Sequence, residues 1–397
     1  MSMALANAGD GNTESSAAGW HNLPDDLLGI VGRRICSPRD RVRLAAVCRP
    51  WHDAASRLPA QPAVPALILS PYGRSKKKHM CGPCGSWVLR VPGKAVRKRF
   101  VGSHHGGWIA ATDGHQLVIV NLFSGAEVPL TTNQRMIDSI PTVKGPHNIK
   151  KIIFSQDPAS SDGCILAAIT HEGNSIAVCR VGCPDGGWSA HLWHGNSFWD
   201  IAFYDGELYG LTKLSEILVK VEIVIKEDKT PEIVATHPLP IQSRDWSCYN
   251  PMYYDAYIVE LHGELMIAVR ERWLSNGRYF FRVFKLVDVD NGKAHKQKWA
   301  HVTNFGEYAL FLGLSKAVHV PVGGHHGIKR NHIYYYSPTT EEELPDDKMY
   351  SVRTGDGDQV YCREDQGRTG YYLMHCYNNP TWREHCNSAR WLYPPDF

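Results

Sequence analysis

The residues whose spacing most invites chemistry are Cys81 and Cys84, set in the phrase Cys81-Gly-Pro-Cys84. Such a pair serves as half of a tetrahedral zinc site or as a thiol–disulfide exchange centre. Zinc wants about four ligands, usually with a second pair at close spacing. The nearest candidates are His79, His104 and His105, and no second Cys-x-x-Cys follows. Exchange wants the pair at a helix N-terminus in a βαβ unit, whereas this one lies in a Gly/Pro turn between strand-like runs. It reads as a loop. The pairs His104-His105 and His325-His326 are poor chelators, since neighbours on a strand point to opposite faces. Both abut glycines and read as turn residues. Glu341-Glu-Glu343 and Asp346-Asp347 read as solvated loop. No nucleophile elbow, phosphate loop or dinucleotide fingerprint occurs. The expectation is a non-catalytic protein without metal or cofactor.

Charge narrows the partners. The chain of 397 residues carries 43 Lys+Arg against 40 Asp+Glu, a net +3. That balance disfavours nucleic acid as the main partner. The basic runs Lys76-Lys-Lys78 and Arg97-Lys-Arg99 are short and read as solvated hairpin loops. No run of about 18 apolar residues is present, so no membrane span is expected. Eleven cysteines, an odd number at irregular spacings, fit reduced thiols in the cytoplasm or nucleus. Residues 1–18 are polar and Gly/Ala/Ser-rich, and read as a disordered lead-in.

The elements that must position any site change character near residue 60. From Leu23 to Leu58 the pattern is helical. Pro24 suits a helix start, Asp25 and Asp26 suit the positive end of its dipole, and Leu27, Leu28, Ile30, Val31 and Ile35 form an apolar stripe. Gly29 and Gly32 weaken that helix by about 1 kcal/mol each relative to alanine. Ser37-Pro38-Arg39-Asp40 marks a second start, with Val42, Leu44, Ala45, Val47 and Cys48 as its apolar face and Pro50 as its end. About 40 residues in short helices bury little alone, so their apolar surplus wants a partner. The proline-rich stretch 59–66 reads as a linker.

From residue 67 to 397 the signals are those of strands. They run from Trp108-Ile-Ala-Ala111 and Gln116-Leu-Val-Ile-Val120 through Ile201-Ala-Phe-Tyr204 and Glu207-Leu-Tyr-Gly-Leu211 to Tyr308-Ala-Leu-Phe-Leu312 and His332-Ile-Tyr-Tyr-Tyr336. Asp205-Gly206 and His262-Gly263 are hairpin turns between apolar runs. Gly163, Gly206 and Gly263 are 43 and 57 residues apart, and a loose period of about 40–55 residues is the mark of β-propeller blades of about four strands. The length allows six or seven blades. Large aromatics are needed to fill the wedges between blades, which accounts for most of Trp188, Trp193, Trp199 and Trp299. Trp246 and Trp273, beside Arg244, Arg270 and Arg272, have instead the composition of an interface hot spot and are the candidate target-binding residues.

Two phrases, Trp20-His-Asn-Leu-Pro-Asp-Asp-Leu-Leu28 and Asp40-Arg-Val-Arg-Leu-Ala-Ala-Val-Cys-Arg-Pro-Trp-His52, closely resemble the F-box of plant proteins, placed here at residues 19–58. The remainder is similar to the kelch-like propeller of the plant group named domain of unknown function 295. The matching phrases include His105-Gly-Gly-Trp108, Phe198-Trp-Asp-Ile-Ala-Phe-Tyr-Asp-Gly-Glu-Leu-Tyr209, Gly306-Glu-Tyr-Ala-Leu-Phe-Leu-Gly313 and Asn331-His-Ile-Tyr334. The resemblance implies that Leu23, Pro24, Ile30, Val31, Leu44, Val47, Cys48 and Trp51 dock on a Skp1-like adaptor, and through it on a cullin. The expected function is substrate recognition in a Skp1–cullin–F-box ubiquitin ligase, with the propeller gripping an unknown target protein. The alternative is an F-box protein that sequesters or regulates its target without degradation.

Overall fold

The structure, a computed structural model, describes residues 23–35, 38–57, 64–69, 76–82, 85–137, 140, 149–170, 174–184, 186–193, 197–213, 217–242, 255–272, 279–289, 297–313, 317–323, 328–335, 350–354, 360–363 and 390–394. The expected lead-in 1–18 and most of the expected linker lie outside them. The chain divides into two compact units, Met1–Ala60 and Gln61–Phe397.

The first unit has three helices, α1 (Asp25–Arg34), α2 (Pro38–Ala45) and α3 (Arg49–Ser56). Pro24 stands just before α1, where its carbonyl accepts from the backbone N–H of Leu27 (3.0 Å) and Leu28 (3.1 Å). Asp25 and Asp26 fill the first turn against the helix dipole. Pro50 corrects the sequence expectation: α2 has already ended at Ala45, and Pro50 opens α3. A proline costs nothing there, because its missing N–H is one that the first turn leaves unpaired anyway. Leu28, Leu44 and Ala54, one from each helix, are buried. So few buried side chains make a marginal core.

In the second unit the described residues form six antiparallel-rich sheets, five of four or five strands and one of three. Several strands, such as Trp108–Thr112 and Leu117–Asn121, are buried at every residue. Burial on both faces explains why they read as unbroken apolar runs and not as alternation. Turn chemistry joins them as expected: φ is positive at Asp205 (48°) and Gly206 (75°), and again at His262 (55°) and Gly263 (71°), the conformation of a type I′ hairpin. One edge strand from each of several sheets, including Arg99–His104, Ile149–Phe154, Phe198–Tyr204, Ala256–Leu261 and Arg390–Leu392, meets its counterpart in the next sheet. Sheets radiating from such a ring of edge strands make a β-propeller.

Blade-sized sheets number five among the described residues, not the six or seven expected. In the three-stranded sheet the chain after Asn121 turns back beside the last strand, with Asn121 N donating to Ala126 O (2.8 Å) and Val128 N to Ile119 O (3.0 Å), but forms no fourth strand among the described residues. Pro129 then offers no N–H to continue. Elsewhere strands of nine and ten residues, Glu264–Arg272 and Tyr279–Asp288, use more chain per blade than the expectation allowed. The expected linker also ends early. Val64 and Pro65 are buried, and Ala66 begins the first strand, Ala66–Leu69.

Closure comes from the far end of the chain. Arg390–Leu392 pairs antiparallel with Ala66–Leu69, setting Trp391 opposite Leu67. Trp391 is fully buried; its indole Nε1 donates to Leu312 O (2.7 Å), and its ring meets Phe311 edge-on at 5.1 Å. Its own carbonyl accepts from Ser103 Oγ (2.6 Å), and Tyr393 O accepts from Gly107 N (2.7 Å). One tryptophan therefore ties the first, second and last sheets. Glycines permit the approach: a Cβ at Gly313 would sit 2.6 Å from the Trp391 ring, and one at Gly102 would strike Ile152 O of the next sheet.

Two expectations from composition meet the structure differently. Cys48, Cys164, Cys179 and Cys183 are free, and burial pushes the Cys164 and Cys179 thiols up, away from reactivity. Lys78, read as part of a solvated run, is instead fully buried in the strand Lys77–Gly82. Burial lowers its ammonium to about 8 from the ordinary 10.5.

Two outcomes follow. Trp391→Ala is expected to cost about 3–5 kcal/mol by the cavity and the lost carbonyl partner, read as a fall in the denaturant midpoint; Trp391→Phe should cost less. Lys78 binds its proton less tightly folded than unfolded, so its contribution to stability rises with pH between about 8 and 10.5. Lys78→Met is expected to flatten that rise relative to the parent, measured by melting across this pH range.

Candidate functional site

The helical unit carries most of its exposed apolar surface on α1. Leu28 and Gly32 turn inward, while Leu27, Ile30 and Val31, at i, i+3 and i+4, remain 47%, 42% and 40% exposed. Val47, just after α2, is 57% exposed. Four large aliphatic side chains on so small a unit form an unsatisfied apolar surface. Of the residues assigned to the adaptor by resemblance, Pro24, Ile30, Val31 and Val47 are exposed, and Leu23, Cys48 and Trp51 are half-buried. Leu44 is buried with the unit's own core. Leu27, expected in the apolar stripe but not assigned to the adaptor, is exposed beside Ile30 and Val31. An exposed ion pair, Arg57 to Asp25 at 2.7 Å, adds little.

The propeller's polar cluster lies where its edge strands begin. In three successive sheets the pairing slips by one residue near the start of the edge strand, between Phe100 and Gly102, between Ile149 and Lys151, and between Phe198 and Asp200. Each slip is a bulge that turns its extra residue out of the ladder. The extra residue is buried Val101 in the first sheet, Lys150 in the next and Trp199 in the third. Below this level Lys151 and Asp200 form a fully buried ion pair. Asp200 Oδ1 also accepts from Ile201 N (2.8 Å), and Oδ2 accepts from Ile258 N (2.9 Å) in a further sheet. That carboxylate holds three consecutive blades.

Lys150 Nζ donates to Trp199 O (3.2 Å) and stands 5.9 Å from the Trp199 ring centre, while Lys213 Nζ stands 5.0 Å from it. Burial first, and then the like charge of Lys213, lower the Lys150 ammonium; Asp255 and Asp200 oppose this. Asp255 pairs with Arg270 at 2.7 Å, and the Arg270 guanidinium lies 5.9 Å from the Tyr335 ring centre. Nearby Tyr257 is buried, which pushes its phenol up. Arg270 is thus brought to this cluster, but with 12% side-chain exposure it holds neighbouring strands together more than it offers a surface. Arg244, Trp246 and Trp273 lie outside the described residues, and of Arg272 only its place in Glu264–Arg272 is described. Trp188, Trp193, Trp199 and Trp299 pack against the sheet cores as wedges.

Cys81 lies not in a loop but within the strand Lys77–Gly82, paired with Leu67 and Ser86, and Cys84 lies outside the described residues, as do His325-His326 and the acidic stretch 341–347. His105 begins a turn through Gly106 at φ 80°, as expected, whereas His104 belongs to the strand Arg99–His104. Among the described residues no group of His, Cys, Asp and Glu could hold a metal ion, and no helix is long and apolar enough to cross a membrane.

A short helical unit with surplus apolar surface, followed by a propeller, defines a two-part binding protein. Residues 20–58 match the F-box-like domain and residues 86–372 match the KIB1-4 beta-propeller. The chain belongs to the KIB1-4 beta-propeller family, with an F-box-like domain before the propeller. An F-box protein of Arabidopsis thaliana is 22% identical over 348 residues, covering 80% of this chain and 95% of its own length. A putative F-box protein of the same plant is 24% identical over 365 residues, covering 85% and 92%. Among solved structures, the N-terminal domain of Nup159 aligns over 79% of this chain and 85% of its own at 9% identity, with a TM-score of 0.32. This combination of domains is consistent with a substrate-recognition adaptor, and the F-box-like domain implies a protein partner.

The buried pair gives a direct check on the propeller. Asp200→Ala strands Lys151 and removes the acceptor for two N–H groups, an expected loss of about 3–5 kcal/mol. Asp200→Ala with Lys151→Met should recover part of it, measured by chemical denaturation.

Proposed function

We propose that this protein is the substrate receptor of a Skp1–cullin–F-box ubiquitin ligase. The exposed stripe of Leu27, Ile30 and Val31 on an F-box-like domain supports this most directly. A unit that cannot bury its apolar residues within itself completes its core on a partner, here a Skp1-like adaptor that links it to a cullin. Leu23, Pro24, Val47, Cys48 and Trp51 border or extend that contact, and Leu44 supports it from inside. The propeller presents loops to a target protein, with Arg244, Trp246, Arg270, Arg272 and Trp273 as its proposed contacts. We also place the propeller with the kelch-like group of domain of unknown function 295, on the ordered phrases from His105 to Tyr334. The chain performs no covalent step. It lowers the barrier to ubiquitin transfer by holding the target near a conjugating enzyme recruited elsewhere in the complex, in the cytoplasm or nucleus.

The test is co-purification of the full chain with a plant Skp1-like protein. Ile30→Asp with Val31→Asp, both at exposed positions, is expected to weaken that complex by about 100-fold or more while leaving the melting of the propeller unchanged. A parent chain that fails to hold the adaptor would sink the assignment.

A further inference from the structure

We propose that Lys150 and Lys213, both in cation–π range of Trp199, form a binding site for an anionic side chain of the protein that the propeller captures. This rests on the receptor reading for the identity of the captured molecule, but the site is argued from charge and geometry.

The local charges do not balance. Lys151 is matched by Asp200, and Arg270 by Asp255. Among the described residues neither Lys150 nor Lys213 has a carboxylate within ion-pair distance, although both stand 5–6 Å from the same ring centre. Burial first, and then the like charge of Lys213, lower the Lys150 ammonium, and Asp255 and Asp200 offset this only in part. An incoming anion removes both penalties. The bond from Lys150 to Trp199 O explains one of its three N–H donors; it leaves the others available and does not account for Lys213.

The backbone decides which residue stands here. The bulge carries buried Val101 in one sheet and half-buried Lys150 and Trp199 in the next two. The bulge is part of the blade, so the distinguishing feature is the residue carried on it. Trp199 packs on the core between blades and supplies a rigid wall, and Lys213 reaches the same ring from the end of the adjacent strand Glu207–Thr212. Ammonium groups are compact point charges without a planar fork. They suit carboxylate or phosphate oxygens alike, so the ligand chemistry is an acidic or phosphorylated side chain in a protein segment.

The test uses the full chain and three fluorescein-labelled peptides read by anisotropy: one with a run of glutamates, one with phosphoserines and one neutral. Both or one of the anionic peptides should bind, with affinity falling as salt rises, and the neutral peptide should not. Lys213→Gln should weaken binding about tenfold and Lys150→Gln with Lys213→Gln further, whereas Lys285→Gln, on an exposed pair with Glu264, should change nothing. Because Lys150→Gln also removes a bond between sheets, Lys150→Arg serves as its control and should keep binding. Binding by the phosphopeptide alone assigns phosphate as the source; binding by both assigns charge as sufficient. Failure of both anionic peptides to bind, or binding that survives the double substitution, overturns the site. Adaptor co-purification on the same preparations separates the two readings. A chain that holds the adaptor but no anionic peptide rejects only this site, and the reverse result rejects only the receptor.

Discussion

The second unit depends on a single closure. A propeller has no central core, so each sheet is stable only while both its faces are covered, and one open seam exposes the first sheet and the last. Here the seam is sealed by three residues, Arg390–Leu392, added to the edge of the first strand. Three ladder positions would be a weak seal on their own. Trp391 strengthens it by placing a large apolar ring against Phe311, and by pairing its indole N–H with Leu312 and its carbonyl with Ser103. The requirement extends to its neighbours, since Gly313 has to be a glycine for that ring to fit.

Once the ring is closed, the rest of the propeller is held by polar ties that repeat between blades. Arg99 donates to Ile149 O, Lys150 donates to Trp199 O, and Lys151 meets Asp200, each spanning 49 or 50 residues. A buried charge pair adds little net stability over an apolar one, but it makes wrong alternatives costly. Asp200 illustrates the point, because its two oxygens are satisfied only when three consecutive blades are in register.

Much of the fold was legible in the sequence, because it rests on local rules. The helix starts at Asp25 and Pro38, the strands, and the turns at Asp205-Gly206 and His262-Gly263 follow from residue type and spacing. What was not legible depends on distance along the chain. Trp391 is unremarkable until it is placed beside Leu312 and Ser103, far away in sequence. Lys78 looks like one of three surface lysines until a strand buries it. Blade number was misjudged because the hairpin glycines gave a loose period, whereas the tighter 49-residue spacing from Lys150-Lys151 to Trp199-Asp200 joins residues of unlike type. For the helical unit the types and spacing sufficed for the apolar stripe, but not for its division into an inner face at Leu28 and an outer one at Leu27, Ile30 and Val31.

The two surfaces suit different partners for physical reasons. The aliphatic stripe on α1 gains from water release, which is nearly indifferent to salt and demands a complementary apolar groove, as in a permanent subunit contact. Gly29 and Gly32 make α1 weak in isolation, so a contact that hid the stripe would also order the helix. The lysines around Trp199 offer long-range attraction that raises the rate of encounter and falls with ionic strength. Charge of this kind holds a passing ligand without demanding a single shape. The receptor role proposed above needs both behaviours at once: a stable attachment to a scaffold and a reversible grip on a target.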